Sequence, residues 1–246
     1  MNTTSLLLLI TALPSLALAK NTPWNNEIEL GFMLNQGNTQ NTHFDTRYTN
    51  KFTTDKINNT FSVASLIDLA KDNATSTKQK TAEKYSINNN IKYILTNNHY
   101  IFSDLYAQKD KFSAFDYEIT EAIGYGRKIF DNDIIKWHLE AGPGGRHSQS
   151  PQENLSRAHQ DELIIHTGSG LIFKISQNAA FSQDITYGAG KDTQNTKSIS
   201  ALKATVLEKV SLKLSHRLEY NAKIPNTGKP QKHAENTTSI TATYMF

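Results

Sequence analysis

The sequence predicts an all-β protein, an antiparallel transmembrane β-barrel of about twelve strands preceded by a cleaved signal peptide. Three observations carry that prediction. Apolar residues recur with a period of two along nearly the whole chain, and short connections between the alternating segments take turns with long ones. The chain also opens on a brief apolar block and closes on an aromatic residue, Phe246.

Composition sets the outer bounds. Twenty-six Lys plus Arg stand against 23 Asp plus Glu in 246 residues, a formal net charge of +3. That excess is too small and too scattered for a nucleic-acid stripe or a polybasic membrane patch, so no nucleic-acid partner is expected. Beyond the first twenty residues no run approaches the roughly 18 apolar residues of a spanning helix, which excludes a helical transporter. The absence of cysteine excludes a disulfide scaffold, a thiolate zinc site and a cysteine nucleophile.

The elements follow in chain order. Residues 5–18, SLLLLITALPSLAL, are too short a block to anchor in a bilayer, and Ala17-Leu18-Ala19 gives the small-x-small pattern read by signal peptidase. Cleavage is expected after Ala19, leaving residues 20–246 as one barrel domain in the bacterial outer membrane. No Lys or Arg precedes the block, a departure from the usual pattern, and no cysteine stands at the cut to make a lipoprotein.

From Glu27 onward Ile28, Leu30, Phe32 and Leu34 share one parity, and Phe44, Tyr48 and Phe52 then alternate with Asp45, Arg47 and Lys51. The pattern continues through Phe61, Val63, Ile67 and Leu69, then Tyr85, Ile87, Ile91 and Tyr93. It returns in Ile135, Trp137 and Leu139 opposite Lys136, His138 and Glu140. Later stretches carry Leu163 and Ile165, Phe181 and Ile185, Leu202 and Val206, and Leu212 and Leu214. Strands are also expected at 99–110, which reads in either parity, and at 116–129. The last strand holds Ile240, Ala242, Tyr244 and Phe246.

Hairpin-sized links fall at 53–56, 96–98, 131–133, 176–178 and 207–209, and longer polar stretches start at Lys71, Ser148, Gly190 and Ile224. Short turns on one side, long loops on the other and both termini on the short side make the membrane-barrel layout. A soluble sandwich or lipocalin-like barrel also alternates, but its polar face would look outward and its apolar face into a dry core. Here the polar faces carry Arg47, Lys51, Lys136, Arg146, Lys203, Lys213 and Arg217 with Asp45, Glu140, Glu162, Asp184 and Glu219. A watery or salt-bridged lumen accommodates them, with seven cations against five carboxylates giving any open path a slight preference for anions.

Three segments carry a family resemblance. LGFMLNQGNTQNT holds a Gly37-Asn38-Thr39 step, LEAGPGGRH (139–147) resembles a central Gly-x-Gly strand, and residues 200–246 resemble three closing strands. Together they resemble the YdiY-like family of salt-induced outer-membrane proteins, catalogued as a domain of unknown function, over about residues 24–246. The resemblance implies fold and location and is silent on mechanism. Glu121 and His216 depart from it by falling on otherwise apolar faces.

His138 and Glu140, with Glu162 and His166 on the next strand, are the best candidate constellation for a divalent cation or a shared proton. Lys136 and Arg146 on the same face favour lumen ion pairing instead. Three inward Gly-x-Gly pairs, at Gly124/Gly126, Gly142/Gly144 and Gly168/Gly170, precede no helix, so they read as strand bends and as room for long side chains from opposite walls rather than as a phosphate cradle. Ser215 and His216 are chain neighbours on opposite faces and cannot form a nucleophile and base pair. The reading is therefore a non-enzymatic monomer without metal or cofactor. The leading reading is a narrow passive pore for small polar solutes or ions, the alternative a closed barrel with a structural or salt-stress role, and an outer-membrane enzyme ranks behind both.

Its partners are outer-membrane lipid and, through Ile240-x-Ala242-x-Tyr244-x-Phe246, the machinery that assembles such barrels. Deleting Phe246, or replacing it with a charged residue, is expected to reduce assembly, read as loss of heat-modifiable migration on gels. Normal assembly of both variants would discount the terminal strand as a signal.

Overall fold

Alternating apolar and polar side chains favour strands that bury one face, and the chain forms twelve of them. The structure is a computed structural model that describes residues 23–35, 41–71, 78–111, 115–149, 159–223 and 233–246. The expected signal peptide, the Gly37-Asn38-Thr39 step and most of the loops from Ser148 and Ile224 lie outside the described residues. The strands are β1 (Trp24–Asn35), β2 (Asn41–Thr53), β3 (Ile57–Lys71), β4 (Lys78–Ile94), β5 (His99–Asp110) and β6 (Tyr117–Asp131). They continue with β7 (Ile135–Gln149), β8 (His159–Lys174), β9 (Ala179–Gly190), β10 (Gln194–Leu207), β11 (Val210–Lys223) and β12 (Ala234–Met245).

Each strand pairs antiparallel with its sequence neighbours, and β1 pairs with β12 to close the barrel. The closing seam is the shortest ladder, running only from Glu27 opposite Met245 to Gly31 opposite Thr241. Phe246 extends it, because its N–H donates to the Asn26 carbonyl (3.0 Å) and its carbonyl accepts from Asn26 N–H (3.2 Å). Strands of 12 residues or more, tilted by about 45°, rise roughly 28 Å, enough for the apolar band of a bilayer.

Exposure separates the two faces. Leu163 is 87% exposed and Phe32 62%, while the fully buried side chains include Ser211 and Thr243. Among the described residues five buried positions are apolar and fifteen are polar or charged, the reverse of a soluble β-barrel's core. Aromatic pairs collect outside near the short-turn end: Trp24 on Phe52 (4.5 Å between centroids), Phe130 on Trp137 (6.1 Å) and Tyr244 on Phe246 (6.0 Å). They make one interfacial girdle.

The register of β5, open in the sequence, is settled by its neighbours. Ile101 and Leu105 face out beside Tyr93 and Tyr125, while Tyr100 and Phe102 turn inward and are 1% exposed. Tyr100 fits because it lies directly opposite Gly126, where an added Cβ would overlap its ring. His138 lies over Gly170 in the same way. The inward glycines thus make room for side chains of the adjacent strand, not for ones reaching from the opposite wall.

The polar stretch after Lys71 lies outside the described residues from 72 to 77. The connection after Gly190 is tighter than its composition suggests, since β9 and β10 are joined by residues 191–193 alone. Glu162 explains it, because its carboxylate accepts the backbone N–H of Asp192 (2.9 Å) and of Thr193 (3.2 Å) and the Thr193 hydroxyl. A long-range contact thereby converts a polar stretch into a turn.

Gly126→Ala is expected to destabilise the barrel by about 1–3 kcal/mol through overpacking against Tyr100. The double variant Gly126→Ala/Tyr100→Ala should recover part of that loss in urea unfolding followed by gel mobility. An unchanged midpoint for Gly126→Ala would mean that the Tyr100 ring moves freely aside.

Candidate functional site

The functional space of a closed barrel with a polar interior is its lumen. Asp45, Arg47 and Lys51 face it from β2, Lys136, His138, Glu140 and Arg146 from β7, and Glu162 and His166 from β8. Asp184 faces it from β9, Lys203 from β10, and Lys213, Arg217 and Glu219 from β11. Period two also turns inward a second set that the sequence analysis passed over: Glu27, Glu29, Lys84, Lys92, Asp104, Glu118, Lys197 and Glu235. Their signal lay in plain view on β1 and β4, where Ile28, Leu30, Tyr85 and Tyr93 already fix the outward parity. Asp68, Asp110, Lys128 and Lys174 share these inward faces as well, so cations and carboxylates come close to balance, which removes the cationic excess and with it the ground for an anion preference.

At the short-turn end, two groups of ion pairs line the wall. Glu29 is paired with Lys213 (2.9 Å) over β12, and Glu27 with Lys203 over β12 and β11, past the small inward Ser239, Thr241 and Thr243 of β12. On the other side Lys92 Nζ lies 3.1 Å from Glu140 Oε2 and donates to His138 Nε2 (3.0 Å), and the Tyr100 hydroxyl donates to the same Glu140 oxygen (3.1 Å).

Toward the loop end, Arg146 is 5% exposed and donates through Nη2 to Glu118 (2.6 Å), with Glu162 at 3.9 Å from Nη1. Here two contacts also cross the lumen. Lys84 of β4 pairs with Glu219 of β11 at 2.7 Å, and Lys197 of β10 stands 4.4 Å from the ring centroid of Tyr106 on β5. Strands so placed in a circular twelve-strand barrel would be roughly 24 Å apart. A Lys and a Glu side chain joined by a hydrogen bond span only about 14 Å. The two walls must approach each other, so the barrel is oval at this level.

Beneath the crossing lies a polar chamber of about 250 Å³, lined among others by Arg47, Asn88, Asp104, His166, Asp184 and Arg217. Asp104 accepts from Asn88 (3.3 Å) and Asn90 (3.1 Å). Nε of Arg146 and of Arg217, and Nε2 of His166, are buried and find no hydrogen-bond partner among the described residues. Such leftover polar atoms call for water or solute, and at about 30 Å³ per water the chamber holds a handful.

The candidate constellation does not assemble. His138 and Glu140 belong to the Lys92 cluster, whereas Glu162 holds the β9–β10 turn and His166 packs at a tilt against Phe102 (5.8 Å between centroids). Among the described residues no group of three or more His, Asp or Glu is arranged to hold a metal. Outside the barrel, His216 meets Thr238 of β12 (2.9 Å), so its polarity is matched by the neighbouring strand. Glu121 lies 3.6 Å from His147, which also contacts Asp161 (2.9 Å), making a small polar patch on the outer wall near the loop end.

A closed twelve-strand antiparallel barrel, apolar outside and charged inside, is a membrane β-barrel of the outer-membrane type. By residues 28–246 the chain belongs to the family described as protein of unknown function, DUF481. It is 22% identical over 175 residues to the uncharacterized protein YdiY of Escherichia coli (strain K12), a match covering 71% of this chain and 66% of that one. Its fold is similar to that of the NanC porin (TM-score 0.52, 8% identity, 90% of this chain and 99% of that one). It is similar also to an outer-membrane channel from Pseudomonas putida F1 (TM-score 0.51, 9% identity, 95% and 99% covered). The same holds for the translocator domain of the autotransporter NalP from Neisseria meningitidis (TM-score 0.51, 9% identity, 92% and 89% covered).

Removing Arg146 leaves Glu118 and Glu162 facing each other, so Arg146→Met is expected to lower stability by about 3–5 kcal/mol. Adding Glu118→Gln should restore much of it. Equal urea midpoints for wild type and Arg146→Met would show that the loops, and not this pair, hold the upper barrel.

Proposed function

We propose that the protein is a narrow passive pore for small polar solutes or ions and performs no chemistry on them. The observation that carries this reading is the chamber within the lumen, walled by charged and amide side chains with leftover donors rather than by packed apolar groups. Side chains that lie flat in glycine notches, as Tyr100 and His138 do, line the wall without plugging the bore. The cross-lumen contacts favour a second reading, a closed barrel with a structural or salt-stress role, because they narrow the section above the chamber. In either case the barrel stands in outer-membrane lipid, reaches it through an assembly signal at Tyr244 and Phe246, and works as a monomer.

Single-channel recording in planar bilayers tests the pore. Small, steady openings are expected, with reversal potentials near zero in a salt gradient because cations and carboxylates balance inside. Silence at high protein load overturns the pore in favour of the closed barrel, and strong selectivity of either sign overturns the balanced lumen.

A further inference from the structure

We propose that the Lys84–Glu219 ion pair, braced by Lys197 against Tyr106, is a breakable strut that forms the constriction and decides which solutes pass. The proposal rests on the pore reading above and assigns its narrowest level. Both contacts join the same two walls, β4–β5 with β10–β11, and the chamber lies directly against them, since Tyr106, Lys197 and Glu219 belong to its lining. The two ionic side chains are nearly buried, at 9% and 12% exposure, so no wide aqueous path runs beside them.

Closure does not need this contact. Lys84 and Glu219 sit in ladders that are hydrogen-bonded to both neighbours, β4 to β3 and β5, β11 to β10 and β12. What the pair adds is the approach of two facing walls, which a circular barrel would hold apart. A Lys–Glu pair is also exchangeable. A carboxylate on a passing solute can take the Lys84 ammonium, and a solute ammonium can take Glu219, each replacing the partner it displaces. The constriction therefore favours small solutes that carry such a charge over uncharged ones of equal size.

The chain has no cysteine, so a single introduced thiol can report on the strut. The variants are K84A/E219A, which removes both charges and orphans neither, K84Q/E219Q, which keeps the volume, and K84E/E219K, which rebuilds the pair in reverse. Heat-modifiable migration establishes that each is folded. Conductance of K84A/E219A or K84Q/E219Q is expected to rise about twofold or more over wild type, because the narrowest section limits the current. The reversed pair should return it to the wild-type range. In a Ser86→Cys background, where the thiol faces the chamber, a bulky maleimide added outside intact cells should label the strutless protein faster.

Wild type and strutless variants that conduct and label alike overturn the strut and leave the pore standing. A silent wild type with conducting strutless variants supports the strut and removes the resting open pore. Silence of all of them, with unchanged labelling, overturns the strut as the element that closes the passage.

Discussion

Inside a bilayer no water is available to a backbone N–H or C=O, so a sheet survives there only if it has no free edge. Everything else in this molecule follows from the closure of β1 on β12. That seam has the fewest paired residues of the twelve ladders, and the chain compensates in two ways. The terminal Phe246 adds a reciprocal pair of backbone hydrogen bonds to Asn26. Two ion pairs, Glu27 with Lys203 and Glu29 with Lys213, tie β1 to β10 and β11 across the small Ser and Thr side chains of β12.

Closure turns one face of each strand to lipid and the other to a space too narrow to hydrate every charge freely. Charges at that face pair, because an unpaired ion away from bulk water is costly. Arg146 between Glu118 and Glu162 meets that demand locally, on adjacent strands, and Lys92 with Glu140 meets it across β5 and β6. Lys84 and Glu219 meet it at long range and in doing so draw two facing walls together. Shape and electrostatics of the lumen are thus one problem, and the oval section above a polar chamber is its outcome.

The glycine-rich strands β6 to β9 play the complementary part. By giving up side chains they let Tyr100, His138 and Glu140 lie along the wall, where these residues also enter the ion-pair cluster around Lys92. A wall built this way is charged without being bulky, which separates this lumen from a packed core.

The sequence by itself determined the strand count, the lipid and lumen faces of nearly all strands and the closing aromatic residue. All of these follow from a period of two and from turn lengths, which are local properties of the chain. The parity of β5 was not legible, because Tyr100 and Phe102 are as apolar as Ile101 and Leu105, and only the notch at Gly126 selects which pair turns inward. Nor could the short turn at 191–193 be read, since its ordering ligand, Glu162, stands 30 residues earlier. Periodicity says that His138, Glu140, Glu162 and His166 share a face, but their depths and partners depend on strand stagger, which scatters them. Which inward charge meets which, and hence where the lumen narrows, was decided by the tertiary structure alone: Lys84 and Glu219 lie 135 residues apart and meet only because the barrel closes and flattens.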